Sequence, residues 1–368
     1  MPNEPAAMDD WRASALRKLT DESNCKPTPL IKLVDEGTLA HIWLKDESAT
    51  PSGSIKHRLA RRLFWRAVVD GRIGSDTSLY DASSGSMALS EAWFARMLDL
   101  RLEIVVPATI SREKKCLLER AGIRLHIAAD LEGARRKASW LAERHCGFFI
   151  DQFVNAADAY GHDVPCAVFS EIHDQLERSP DWIIAGCGTG GTISSLARAV
   201  VLTDSPTRIC LADPDGSLFH WLARRNEGAY RPGQWLIDGV GSCEPRPGFR
   251  PSLPSHSIAV SDEAAVGASW ALSEHLGRPF GSSAGMNLWA AALLCSFHEE
   301  PCVAGPIVTL NPDDGARYTT TSLSTEWCET NGLEIAEFNR ATVEFLRTGR
   351  LPDDFRDYDR ISRHAIAG

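Results

Sequence analysis

Four short segments carry the residue types from which a chemical site is built. The clearest is DWIIAGCGTGGTISSLARAV (residues 181–200), an apolar strand, a glycine cluster and then a helix. Backbone N–H groups at such a helix start lack partners within the helix, and the dipole adds partial positive charge, so the loop can hold a phosphate. Glycines are needed because a Cβ would block the anion's approach. Gly186, Gly188 and Gly191 also fit G-x-G-x-x-G, and Asp213 ends the next strand about where a ribose-binding acid would stand. By itself the unit therefore reads as a dinucleotide site, as a cradle for a single phosphate, or as a structural turn.

The second segment, TPSGSIKHR (residues 50–58), is a turn-rich stretch leading into a helix that begins near Ile55, with Lys56 at its start. Read alone, Lys56 is a solvated surface lysine. Two further segments change that reading. ASSGSMALSEAWFARML, from Ala82 onward, is a Ser/Gly turn opening an apolar helix, with backbone donors for a carboxylate. GSSAGMN (Gly281–Asn287) is another small-residue turn at a helix start, with hydroxyls available.

Together, and in this order from about Thr28 to Tyr318, these segments resemble the fold-type II pyridoxal-phosphate family of cysteine synthase and cystathionine β-synthase. Thr28-Pro29-Leu30 stands where that family's TPL opens the domain. The resemblance implies that Lys56, inside S-G-S-x-K-x-R, forms the Schiff base with pyridoxal 5'-phosphate. It implies that Ser83, Ser84, Gly85, Ser86 and Met87 hold the substrate carboxylate, with Gln152 of Gln152-Phe153 assisting. Gly188, Thr189, Gly190, Gly191 and Thr192 fall on the family's phosphate loop, Ser86 on the residue beside the phenolic oxygen, and Ser283 on the partner of the pyridine nitrogen. Three positions depart from the usual pattern: Ser86 replaces an asparagine, His57 an acid, and Ala284 a serine. The patterns SIKHRLAR, ASSGSxAxSEAxFA, IDQF and NLWAA resemble most the bacterial L-cysteine desulfhydrase branch.

That resemblance implies β-elimination: sulfide leaves cysteine, and pyruvate and ammonia follow. Lys56 would also serve as general base, which requires a pKa well below the free value of about 10.4. The alternative within the family is β-replacement, as in a cysteine synthase using O-acetylserine or O-phosphoserine. More remote are an NAD-dependent dehydrogenase built on the G-x-G-x-x-G fingerprint and a retired enzyme that only carries the cofactor. His57 reads as a packing residue, Cys187 as a small apolar requirement of the loop, and Asp213 as a strand-end cap where no ribose is bound.

The elements that position these residues alternate between apolar runs and helical patterns, the signature of an α/β protein with parallel strands. Strands are expected at 41–44, 103–106, 124–127, 182–185, 208–212 and 307–310, and a helix from an N-cap at Ser111, with Glu113 in its first turn, to Gly122. Residues 242–257, rich in Pro, Gly and Ser, read as a surface loop that could also border the active site. The resemblance gives two three-layer α/β domains with the cofactor in the cleft: a smaller one over 45–165 and a larger one over 166–330. Residues 1–44 are expected to pack on the larger domain. Residues 331–368 form a charged tail, packed as surface helices or frayed. Trp43, Trp65, Trp93 and Trp289 are expected in cores.

The 368 residues carry a net charge of −10 with no long basic run, which argues against nucleic acid as a main partner. No run approaches the ~20 apolar residues of a membrane helix. The first residues lack a secretory signal pattern, so a cytoplasmic protein is expected. The ten cysteines form no C-x-x-C pair and read as reduced thiols, with no metal site. The expected partners are a small amino-acid substrate and, from the resemblance, a second copy in a homodimer.

Overall fold

The computed structural model describes residues 10–21, 26–34, 41–83, 85–110, 112–159, 167–224, 229–296 and 305–356. Ser84, Ser111 and the RDYDRISRH run beyond Arg356 lie outside them. The chain divides into two compact α/β units: residues 1–27 with 50–159, and residues 28–49 with 160–368.

The smaller unit holds four parallel strands in the order β5-β4-β3-β6, namely β3 Ser78–Ala82, β4 Arg101–Pro107, β5 Arg124–Ala128 and β6 Phe148–Phe149. Its helices are α1 Asp10–Thr20, α2 Lys56–Val69, α3 Ser86–Met97, α4 Arg112–Arg120, α5 Leu131–Arg144 and α6 Gln152–Ala159. In α2 the buried residues Leu59, Leu63, Phe64, Ala67 and Val68 recur at helical spacing, which gives it one apolar stripe. Helix α5 starts where Asp130 accepts from the Gly133 N–H at 2.6 Å. It covers the sheet through Ala134, Ala138 and Leu141, packed with Tyr80, Ala82 and Val105.

The larger unit holds six strands in the order β1-β2-β10-β7-β8-β9. These are β1 Leu30–Lys32, β2 Ile42–Asp46, β7 Trp182–Gly186, β8 Arg208–Pro214, β9 His256–Val260 and β10 Ile307–Asn311. All pairs are parallel except β1 with β2. The inner strands read as continuous apolar runs because both faces are covered. Its helices are α7 Ala167–Leu176, α8 Gly191–Leu202, α9 Leu218–Ala223, α10 Asp262–Leu276, α11 Ser282–Ser296, α12 Thr325–Thr330, α13 Ala336–Thr348 and α14 Asp353–Arg356. Every residue of α11 from Ser282 to Leu294 is buried. It is apolar all round because the sheet lies on one side and α10 on the other. Gly285 allows that approach: a Cβ there would fall 2.0 Å from the Ala265 carbonyl oxygen.

All six expected strands are present, each within two residues at either end. Four others were not legible: β1 and β6 have only three and two residues, SLYDA of β3 mixes polar with apolar residues, and β9 begins within the last two residues of the segment read as loop. That segment is only partly surface, since Ser242 and Phe249 are buried. Helix α1 belongs to the smaller unit, where Arg12 donates to the Val69 carbonyl and Lys18 to that of Met97. The expectation that all of 1–44 packs on the larger unit is thus corrected for this helix. The tail is neither frayed nor merely superficial through Phe355. Phe338 of α13 and Phe355 of α14 pack edge-on to buried Trp289. Of the four tryptophans only Trp289 is fully buried. Trp43, Trp65 and Trp93 are half-buried, the first two beneath Lys32 and Arg62.

Candidate active site

Lys56 opens α2, immediately after a turn pinned by Thr50, whose Oγ1 donates to the Ser54 carbonyl and accepts from its N–H. The Lys56 N–H donates to Ser54 Oγ. His57 is buried between Trp93 and Phe94, and burial followed by the Arg61 and Arg58 charges lowers its pKa to about 3. This agrees with a packed, neutral residue.

Strand β3 feeds the turn expected to hold a carboxylate. Ser83 is buried and its hydroxyl accepts from the Ala88 N–H at 3.3 Å, so it caps the amino end of α3. Ser86 opens that helix, Gly85 precedes it, and Met87 is buried within it. Gln152, at the start of α6, is buried and donates through Nε2 to the Ala82 carbonyl at 3.2 Å. The smaller unit thus holds Lys56, the 83–87 turn and Gln152.

The larger unit holds the rest. Helix α8 begins at Gly191, after Gly190 at φ 89°, and no side chain caps its amino end. Thr189 is mostly buried, and neither its hydroxyl nor that of Thr192 has a hydrogen-bond partner among the described residues. Gly190 packs back to back with Gly248: its Cβ would fall 2.3 Å from the Gly248 carbonyl carbon. The 242–250 segment is therefore a wall of this loop. Ser283 lies in the first turn of α11, 5% exposed, and its hydroxyl too lacks a partner among the described residues. An open helix amino end for a phosphate and a hydroxyl left free on a mostly buried serine for a ring nitrogen are what pyridoxal phosphate requires, so these residues fit it. Asp213 is fully buried and accepts from the His220 N–H at 2.8 Å; burial pushes its carboxyl up to about 7. It ties the first turn of α9, whose N-cap is Ser217, to the preceding strand, and a buried carboxyl so engaged suits a ribose poorly.

Sequence reasoning missed three supports of the site. Asp151, just before Gln152, is left-handed at φ 44° and held by Arg135 Nη2, 3.1 Å from both carboxylate oxygens. Asp81 of β3 and Glu91 of α3 are fully buried carboxyls that interact with each other. Ser52 and Ser90 bond each other at 2.8 Å. The serines stood inside the quoted motifs, but only the fold pairs them. Thr28, in contrast, has a structural role: Lys45 Nζ donates to its carbonyl at 2.6 Å and lies 2.8 Å from Glu171.

The chain belongs to the family of pyridoxal-phosphate dependent enzymes, whose model it matches over residues 22–313. Its cofactor is pyridoxal phosphate and its fold is the fold-type II architecture. It is 36% identical to the L-cysteine desulfhydrase Cds1 of Mycobacterium tuberculosis over 84% of this chain and 85% of that one. It is 28% identical to cysteine synthase A of Escherichia coli K12, over 80% and 92%. The crystal structure of the O-acetylserine dependent cystathionine beta-synthase from Helicobacter pylori superposes with a TM-score of 0.70 at 25% identity, over 82% of this chain and 96% of that one. The dinucleotide reading of the glycine loop is thereby set aside. No helix among the described residues is long and apolar enough to cross a membrane, and no disulfide joins the cysteines among them.

Proposed function

We propose that the protein catalyses β-elimination of L-cysteine, in which cysteine and one water become pyruvate, ammonia and hydrogen sulfide. The observation that carries this reading is the likeness to an L-cysteine desulfhydrase over most of the chain. When bound, pyridoxal phosphate supplies an electrophilic carbon for the substrate amine and a ring that takes up the electron pair freed at the α-carbon. The N–H groups of residues 188–192 and the hydroxyls of Thr189 and Thr192 would hold its phosphate. Lys56 would anchor it and, once displaced by the substrate amine, accept the α-proton at Nζ.

Ser86 and the rest of the 83–87 turn would bind the substrate carboxylate through backbone N–H groups and hydroxyls. Gln152 would add the amide hydrogen not used on the Ala82 carbonyl. Ser283 would give the ring nitrogen a neutral partner. That neutral partner would make the ring a weaker electron sink than an aspartate partner would. We place the enzyme in the cytoplasm as a homodimer, which light scattering of the purified protein checks for assembly.

The test incubates wild type and Lys56→Ala with L-cysteine alone, recording the visible spectrum and assaying sulfide and pyruvate. Wild type is expected to be yellow and to release both products, and the variant to do neither. A yellow wild type without pyruvate overturns elimination and points to β-replacement, the activity named for the Escherichia coli relative. A variant that, before L-cysteine is added, carries a yellow adduct that survives denaturation removes Lys56 from its role.

A further inference from the structure

Three hydrogen bonds run in line through the smaller unit. His57 Nδ1 lies 3.1 Å from Ser52 Oγ, Ser52 Oγ lies 2.8 Å from Ser90 Oγ, and Ser90 Oγ donates to the Ser86 carbonyl at 2.8 Å. The line joins the residue after Lys56 to the residue that opens α3. His57 is 3% exposed and Ser90 fully buried, with the half-buried Ser52 between them, so both ends of the line are shielded from water.

Counting protons fixes the direction of the line. A serine hydroxyl has one proton to donate, and a carbonyl can only accept. Ser90 gives its proton to the Ser86 carbonyl. The bond between the two serines therefore uses the proton of Ser52, which leaves Ser52 only lone pairs for His57. His57 must donate through Nδ1, and its Nε2 is then a bare lone pair. The surroundings agree: Nε2 is buried with no hydrogen-bond partner among the described residues, and the imidazole packs on the Trp93 and Phe94 rings with centroids 4.8 and 4.6 Å apart. An imidazolium would bury a second N–H with nothing to accept it, and the Arg58 and Arg61 cations oppose a further positive charge.

We propose that His57 is a positioning residue whose Nδ1–H starts a one-way hydrogen-bond chain through Ser52 and Ser90, fixing the turn that carries Lys56 to the amino end of α3. The chain follows from the geometry; its effect on substrate rests on the function proposed above. An acid at this position, usual in the family the sequence resembles, would accept from Ser52 and reverse the first link. Ser90 would then have one proton for two acceptors, and one bond would be lost. The paired serines match a donor at position 57.

The closing experiment is nitrogen NMR of the holoenzyme labelled with ¹⁵N-histidine, with the His57 signals identified by their absence in His57→Gln or His57→Asn. Expected is a neutral ring, protonated at Nδ1 and bare at Nε2, throughout about pH 5 to 8. An Nε2–H tautomer or an imidazolium in that range overturns the proposal. In kinetics with L-cysteine, His57→Asn retains an N–H donor and should stay within about twofold of the wild-type KM, whereas His57→Asp should raise KM about tenfold with a smaller change in kcat. Equal effects of the two variants, or a fall confined to kcat, overturn the positioning role. If the wild type does not turn over L-cysteine, that failure belongs to the proposed function, and the tautomer decides the chain.

Discussion

Ser194 Oγ donates to the carbonyl of Gly248 at 2.7 Å, tying the first turn of α8 to a loop 54 residues further along the chain. The contact is possible only because Gly190, left-handed at φ 89°, presents no Cβ to Gly248 and Phe249. Gly190→Ala would strain the backbone and push the 248–249 segment away from the loop. It should lower the thermal midpoint and weaken pyridoxal-phosphate binding at least tenfold. Ser194→Ala, which removes only the hydrogen bond, should cost about 1 kcal/mol and leave cofactor affinity within a few fold. Calorimetry and cofactor titration of both variants check this, and equal losses in the two would contradict the glycine argument.

Gln152 owes its place to the residue before it. Asp151 adopts a left-handed conformation that a non-glycine residue holds only when its surroundings insist, at a cost of order 1–3 kcal/mol. Arg135, from α5, supplies that insistence through both carboxylate oxygens. Arg135→Ala should therefore raise KM for the amino-acid substrate about three- to tenfold, by loosening the start of α6. Asp151→Gly, which relieves the strain, should do less harm than Arg135→Ala. A KM unchanged in Arg135→Ala would detach this pair from the site.

The buried cation of β2 is a third point of leverage. Lys45 is fully buried, 2.8 Å from Glu171, and also bonds the Thr28 carbonyl and Gln175. Lys45→Met leaves Glu171 partly buried without its cation, a loss of about 3–5 kcal/mol. The double variant Lys45→Met, Glu171→Leu should recover much of that, because both charges leave together. Urea midpoints of the three proteins decide it, and a double variant no better than the single would refute the unpaired-charge account.

How much of this was legible in the sequence depends on range. The glycine loop, the Lys56 helix start, the 281–287 turn and six strands were legible because each is a local pattern: an apolar run, a cluster of small residues, a helix opening. The fold and cofactor followed from these motifs in order. What was not legible is pairing across distance. Nothing in PRPGF marks Gly248 as the neighbour of Gly190, and Ser52 and Ser90 meet only because α2 and α3 pack together. The amphipathic face of α13 shows in its sequence, yet its partner Trp289 lies about fifty residues away, so the tail read as surface. Helix α1 was assigned to the wrong unit for the same reason: its anchors are the carbonyls of Val69 and Met97, and backbone acceptors leave no trace in residue types.

The carboxyls of Asp81 and Glu91 give a stability signature in pH. Asp81 and Glu91 are both fully buried. Burial pushes Asp81 up from 3.8 to about 6, and burial together with the Asp81 charge raises Glu91 well above 4.5. In the unfolded chain both release their protons near pH 4, while the folded protein still holds them, so between these values the folded state carries more protons. Stability is therefore greatest below about pH 4 on this account and falls as pH rises through about 6 and beyond. His57 and His220, lowered to about 3 and about 4, act in the opposite sense, removing stability as pH falls below 6.5. Glu91→Gln keeps a neutral donor beside Asp81 and leaves the histidines untouched, so comparing it with wild type isolates the carboxyl contribution. The two should unfold at similar urea concentrations near pH 5, and the variant should be the more stable near pH 8 by about 1–3 kcal/mol. A difference that is the same at both pH values would mean that Glu91 is not held protonated in the fold.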